Sequence, residues 1–386
     1  MKLLIVSAYF EEHRGGVERV AGHIARGLSA SGIEVEWLAC DASKPDMSDT
    51  SVTKIPVRAW NGIQEKVGVP SPLWGLKGIR AMNRAVARAD AVMLQDTLYF
   101  GNILTFLAAK LRRKPVMIVQ HVGAIRFSNR LLRAMMWTGD KLVGRPMLRT
   151  ANAVVFISQA VKAEFNGIRF RRDPEIIFNG VDTQRFTPVR NAVSIAHDRR
   201  LLGLRAKSSV VLFSGRFVER KGLKIIRGLA ESMPDVDFLL AGWGPIDPAS
   251  WQLANVFTTV ADTAAEMKSI YDLADLMILP SVGEGLPLVV QEALASGLRV
   301  ICSAEIPAAD EALRGHVDCA RTDPDNLAET ISDWRSAIGT ALERVRGETD
   351  ADRNSRATFA ASRYGWPRGI ARYLELLKEI TGKPAP

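Results

Sequence analysis

Few cysteines, no long apolar run, no repeat and no metal-ligand spacing mark this chain, and each absence removes a class of protein. Cys40, Cys302 and Cys319 are odd in number and scattered along 386 residues. No redox or zinc spacing relates them, so reduced, buried structural thiols in a cytoplasmic setting are expected. A bilayer-spanning helix needs roughly 20 consecutive apolar residues. The best candidate run is interrupted by Gln95, Asp96 and Asn102, which argues against an integral membrane protein. The N-terminal MKLLIVSAYF is short, and Glu11 and Glu12 follow where a leader would place small residues, so it reads as a first strand. Low-complexity tracts and short repeats are missing too. With 47% apolar residues, most of the chain should fold.

Positive charge is confined to one half. Lys plus Arg against Asp plus Glu gives 27 − 16 = +11 for residues 1–188 and 24 − 26 = −2 for residues 189–386, which sum to the overall +9. A basic first half points to an anionic partner: a membrane surface, a phosphorylated acceptor or nucleic acid. Lys77, Arg80, Arg84 and Arg88, then Arg126, Arg130, Arg133, Lys141, Arg145 and Arg149, are interleaved with Leu, Met and Trp. Two readings stay open. These segments rest on a membrane surface, cations on anionic headgroups and apolar side chains dipping in, or they are amphipathic helices whose apolar faces close the domain. No nucleic-acid reader motif accompanies them, so nucleic acid is not expected.

A chain of 386 residues exceeds one compact core. KLLIVSAYF, EVEWLAC, AVMLQD, PVMIVQH and AVVFIS are strand-length apolar runs separated by helical patterns, and SVVLFSGR, DFLLAG, DLMILPS and LRVICS restart the rhythm. Alternating strands and helices predict two parallel, doubly wound α/β domains. Asn179-Gly180 and Pro188 place the linker near 184–196. The expected division is therefore 1–188, 189–365 and a C-terminal helix over 366–386 that packs back on the first domain. Such sheets bind ligands just beyond the carboxyl ends of their strands.

Two stretches occupy such positions. In SVGEGLPLVVQEALASG, Glu284 lies in the loop after a strand, with Gly283 and Gly285 beside it and Leu286 and Pro287 leading into a helix. Glycines admit a ligand to the backbone, and a helix N-terminus offers free N–H groups to an anion. Glu292 sits in an apolar setting where a carboxylate seeks donors, such as a ribose diol. In FSGRFVERKGL, Arg216 follows a strand and Lys221 precedes a helix, flanked by Gly215 and Gly222. Two cations there could neutralise a diphosphate in place of a metal. Taken singly, a helical glutamate or a basic loop is more often an ordinary solvated feature; the repeated strand, glycine and charge layout favours a site.

Together these residues resemble the GT-B retaining glycosyltransferases of family four, glycosyl transferases group one. Glu284 and Glu292 match that family's Glu, seven residues, Glu motif, and Arg216 and Lys221 match its Arg and Lys pair. GGVERVAGHIARGLSASGIEV, AVVFISQAVKAEF and NGVDTQRF are similar to its glycine loop and first helix, its Ser-capped helix and its interdomain segment. The resemblance implies two Rossmann-like domains and transfer of a hexose from a nucleoside-diphosphate sugar. Glu284 would hold the donor sugar, Glu292 the ribose, and Arg216 and Lys221 the diphosphate. Gly15 and Gly16 would admit donor phosphates or acceptor, and His121 would reach the donor sugar near the reacting carbon. It further implies retention of configuration, with the leaving oxygen taking the acceptor proton, no metal and no cofactor. The acceptor would be a glycan or lipid-linked sugar of a bacterial surface polysaccharide, reached in the cytoplasm or at the inner face of its membrane. A nucleotide-sugar epimerase and a catalytically silent nucleotide-sugar-binding or membrane-binding partner are the alternatives. The loop SAYFEEHRGG lacks the Gly-x-Gly-x-x-Gly of a Rossmann dehydrogenase. Thr258 and Thr259 replace a common glycine at the expected base-binding edge, which leaves the base open. Asp237 and Asp325, in two Asp-x-Asp pairs, read as a strand opener and a helix cap.

Overall fold

The computed structural model describes residues 1–13, 15–42, 44–62, 72–123, 130–189, 191–323 and 325–383. It divides into a first unit, Met1–Asn179 with Trp366–Pro386, and a second, Gly180–Gly365.

The strands of the first unit are β1 (Lys2–Tyr9), β2 (Glu34–Cys40), β3 (Thr53–Val57), the short pair β4 (Ala59–Trp60) and β5 (Leu73–Trp74), then β6 (Ala91–Gln95), β7 (Val116–Gln120), β8 (Ala153–Phe156) and β9 (Glu175–Ile176). Seven of them form a parallel sheet ordered β3-β2-β1-β6-β7-β8-β9. Nearly every residue of β1, β6 and β7 is buried, as continuous apolar runs covered on both faces should be. Ser158 caps the helix after β8 by accepting from Val161 N at 3.1 Å.

The helix Trp366–Thr381 belongs to this first unit. Trp366 stacks on His23 with ring centroids 4.9 Å apart, and Arg372 pairs with Glu175. A side chain at Gly27 would strike Ile370, so glycine is what lets this helix lie close to the helix Gly16–Ala30.

In the second unit, β10 (Ser209–Ser214), β11 (Val236–Ala241), β12 (Val256–Thr259), β13 (Leu276–Leu279), β14 (Arg299–Ser303) and β15 (Asp318–Ala320) form a parallel sheet ordered β12-β11-β10-β13-β14-β15. Counted within each unit and omitting the β4–β5 pair, the second sheet follows the doubly wound order 3-2-1-4-5-6 and the first extends it by one strand, 3-2-1-4-5-6-7.

The boundary falls ahead of the expected 189, and the residues show why. Val181 bridges to Gly365 and donates to Tyr364 O at 2.7 Å, while buried Phe186 meets the ring of Tyr271 edge-on. The expected linker also contains the start of the helix Ala192–Leu201, capped by Asn191. Three smaller expectations are corrected. Cys319 is exposed and faces buried Cys302 across the β14–β15 register. The cap of the helix Leu327–Arg346 is Asn326, not Asp325. Asp237 does open a strand, but its fully buried carboxylate also holds Arg205, accepting from its Nε at 2.7 Å.

Candidate functional site

In the second unit, the order in which strands are added reverses between the parallel neighbours β10 and β13, and an open sheet leaves a crevice at the carboxyl ends of such a pair. Both motif loops leave from these two strands. Val282 N donates to Arg220 O at 3.0 Å, tying one loop to the other. Gly222 has φ +78, and a Cβ there would lie 2.4 Å from Pro280 O, so only glycine permits this approach.

The result is a charge cluster. Lys221, only 9% exposed, places Nζ 2.9 Å from Glu284 Oε1. Exposed Arg220 donates from Nη1 to the same oxygen at 3.0 Å. Arg216 lies elsewhere, its guanidinium 5.0 Å from the ring centre of Trp243. Gly283 has φ +71 and donates its amide to Glu305 at 2.5 Å, fixing the loop that carries Glu284. Leu286 is buried, and the helix Leu288–Ala295 starts after Pro287 in the capping position.

Glu292 is held from inside the unit. Fully buried Tyr271 donates its hydroxyl to Glu292 Oε2 at 2.9 Å. Burial first, and then the Glu292 charge, push the Tyr271 hydroxyl far above its ordinary range, so it stays a donor. Arg220, Tyr271, Trp243 and Glu305 were not anticipated. Trp243 between Gly242 and Gly244 just after β11 was a readable signal; a tyrosine inside the helix Ala264–Leu273 was not.

In the first unit the strand order reverses between the parallel neighbours β1 and β6. Gly15 caps the helix Gly16–Ala30, and the Glu18 carboxylate folds back over it: a Cβ on Gly15 would lie 2.0 Å from Glu18 Oε2. Glu18 is buried, and burial raises its pKa. Gly16 is open: a Cβ there would meet no atom within 4 Å among the described residues. Asp96 follows β6 with φ +65, unusual for a non-glycine residue, and its Oδ1 accepts from His121 N at 2.7 Å and Val122 N at 3.2 Å. Burial lifts Asp96 to about 7 against the pull of those amides, with Glu18 adding to the rise. His121, just after β7, sits 2.7 Å through Nε2 from Gln95 Oε1, and burial lowers it to about 3, so its ring is neutral at physiological pH.

Among the described residues, no three His, Cys, Asp or Glu side chains group as metal ligands, and no helix is long and apolar enough to cross a membrane. In the basic segments, the helix Leu76–Arg88 buries Met82, Ala85 and Val86 and exposes its cations. Between residues 132 and 150, Met135, Trp137 and Leu142 are exposed beside Arg133, Lys141 and Arg149; Trp137 is 63% exposed. Arg126 and the side chain of Arg130 lie outside the described residues.

Two doubly wound parallel units of this order define the GT-B class of glycosyltransferase. Residues 14–185 match the Glycosyltransferase Family 4 profile and residues 208–336 the Glycosyl transferases group 1 profile, so the chain belongs to this glycosyltransferase family. It is 32% identical over 187 residues to the D-inositol 3-phosphate glycosyltransferase of Mycobacteroides abscessus, a match that covers 44% of this chain and 39% of that protein. Two solved structures share the fold. Sucrose-phosphate synthase from Thermosynechococcus elongatus has a TM-score of 0.75 at 17% identity, over 99% of each chain. The Anabaena protein HepE in complex with UDP-glucose has a TM-score of 0.74 at 16% identity, over 98% of this chain and all of that one (100%).

Proposed function

We propose that this glycosyltransferase moves a hexose or N-acetylhexosamine from a UDP- or GDP-sugar to a glycan or lipid-linked acceptor, with retention and without a metal. The observation that carries the reading is Glu284 held by Lys221 and Arg220 where two strand-exit loops meet. An incoming diphosphate takes over Lys221, joined by Arg216, and the freed Glu284 carboxylate accepts hydroxyls of the donor sugar. The amides opening the helix Leu288–Ala295 add their partial positive charge. Glu292, oriented by Tyr271, receives the ribose diol. These fixed cations stabilise the departing diphosphate, whose own oxygen takes the acceptor proton on the face it leaves. HepE, which shares the fold, was solved with UDP-glucose, which supports a uridine donor.

The exposed Trp137, Met135 and Leu142 among cations support docking of the first unit on anionic headgroups at the inner face of a bacterial membrane, where surface polysaccharide is assembled. The test is product analysis in EDTA with UDP-glucose, UDP-N-acetylglucosamine and GDP-mannose against a panel of glycan and lipid-linked acceptors. The reading predicts an acceptor-dependent product with the donor's anomeric configuration. A product formed without acceptor, or with inverted configuration, would overturn it.

A further inference from the structure

We infer that Cys302 and Cys319 form an oxidation site for hydroperoxides, a dithiol that closes to a disulfide and, through β14, loosens the loop bearing Glu284. The site stands apart from the glycosyl-transfer chemistry, and its effect on nucleotide binding alone rests on that reading. The two cysteines are direct partners on the parallel neighbours β14 and β15. Paired residues of adjacent strands stand about 4.8 Å apart with their side chains on one face. Cα separations of roughly 4.4–6.8 Å admit a disulfide. Asp318, one residue before Cys319, reaches Arg344 on the helix Leu327–Arg346, so the two thiols lie on the face turned away from that helix. There the Cys302 thiol donates a hydrogen bond to the Cys319 sulfur.

Their surroundings differ as an attacking and a resolving thiol require. Cys319 is exposed to a reagent in solvent. The hydrogen bond from Cys302 lowers its thiol to about 7 against the effect of burial, and Arg314 adds to the fall, so a large share is thiolate at physiological pH. Cys302 is fully buried, and that same hydrogen bond, followed by burial, keeps it a thiol far above the ordinary range. Cys40 lies buried in the first unit, where burial raises its thiol, and serves as the internal control.

The chemistry runs in two steps. The Cys319 thiolate attacks the terminal oxygen of a hydroperoxide; an S–O bond forms, the O–O bond breaks, and the departing alkoxide or hydroxide takes a proton from solvent. The Cys302 sulfur then attacks Cys319; the S–S bond forms as the S–O bond breaks, and the departing hydroxide takes the Cys302 proton and leaves as water. Two thiols are oxidised and one hydroperoxide is reduced to an alcohol or water. Closing a bond where two thiols had only touched draws the end of β14 toward β15. Ser303, next in the chain, donates Oγ to Ser281 O at 2.7 Å, and Glu305 accepts from Gly283 N at 2.5 Å. Both contacts hold the loop that carries Glu284, so a shift at Cys302 reaches that loop through its neighbours.

The experiment treats the intact chain with hydrogen peroxide, maps its thiols by mass spectrometry, and measures the Tm shifts given by UDP, GDP and ADP before and after. The wild type should lose two hydrogens, in a linked pair of peptides that contain Cys302 and Cys319, with Cys40 left as a thiol and the change reversed by dithiothreitol. Cys302→Ala removes the resolving thiol, so Cys319 should accumulate as a sulfenic acid that dimedone traps; Cys319→Ser should leave Cys302 unoxidised. Loss of one hydrogen bond on the Glu284 loop weakens nucleotide binding by about fivefold, so the nucleotide shift should shrink in oxidised wild type, return on reduction, and stay unchanged in peroxide-treated Cys319→Ser. A sulfenic acid that persists on Cys319 in wild type, oxidation of Cys40 as fast as Cys319, or no reaction would overturn the inference. A disulfide that leaves the nucleotide shift intact would overturn its link to the Glu284 loop. Reduced wild type stabilised by none of the three nucleotides would instead overturn the glycosyl-transfer reading, while the mass mapping still decides the dithiol.

Discussion

The two switch points share a strand order and differ in chemistry. The unit that carries the basic half of the sequence, +11 over residues 1–188, gathers the buried carboxyls of Glu18 and Asp96 there, with no cation acting on either among the described residues; the half at −2 gathers Lys221 and Arg220 on one glutamate. Net charge therefore describes the outer surface of each unit and not its crevice, where a few buried groups set the field. The surplus cations of the first unit sit on exposed helix faces such as Lys77, Arg80 and Arg84, while Glu18 and Asp96 are buried.

Lys221→Met should break this contrast most severely. It removes the buried cation from the second crevice, and losing one preorganised charge partner costs on the order of 10²–10³ in turnover. Nucleotide affinity should fall with it, as measured by kcat/KM and by calorimetry. Glu284→Gln comes next: kcat should drop by roughly 10² while nucleotide affinity changes little, because the amide keeps the shape and loses the charge that orders sugar hydroxyls. Glu292→Ala should weaken nucleotide binding; equal affinity in variant and wild type would refute the ribose assignment. Tyr271→Phe removes one hydrogen bond to Glu292 at about 1 kcal/mol, roughly a fivefold loss in nucleotide affinity with kcat retained.

The smallest effect sharpens the comparison from the side of the first unit. Asp96 rises to about 7 on folding, so the folded chain binds more protons than the unfolded one between about pH 4 and 7, and this group lowers stability as pH rises through that window. His121 falls to about 3, so the unfolded chain binds more protons between about pH 3 and 6.5, and stability rises with pH there. The two slopes oppose one another where they overlap. Asp96→Asn should leave the His121 slope exposed, with Tm climbing more steeply from about pH 4 to 6.5 than in wild type. Parallel curves would show that Asp96 ionises normally.

Much of this was readable from residue order, and the limits are physical. Strand-length apolar runs and glycine-flanked charges located β10, β13 and the loops bearing Lys221 and Glu284, because backbone geometry constrains those positions locally. Edge strands of two to four residues such as β9, β12 and β15 carry too little pattern to detect. Partners were invisible: nothing in VERKGL says that Arg220 crosses to Glu284, or in SIYDLA that Tyr271 reaches Glu292. Gln95, Asp96 and Asn102 counted only as interruptions of an apolar run, yet they form a buried polar group behind His121. An interruption inside a strand–helix core marks polar atoms that must be satisfied, and only the fold shows by what.

The central claim is a metal-free diphosphate site on the second unit. Its most direct test is the melting temperature of wild type and Lys221→Met with UDP, GDP and ADP, each with and without EDTA, since a ligand specific to the native state raises Tm by mass action. The account predicts that one nucleotide stabilises wild type equally in both conditions and that Lys221→Met loses the shift. Stabilisation abolished by EDTA, or retained in Lys221→Met, would contradict it.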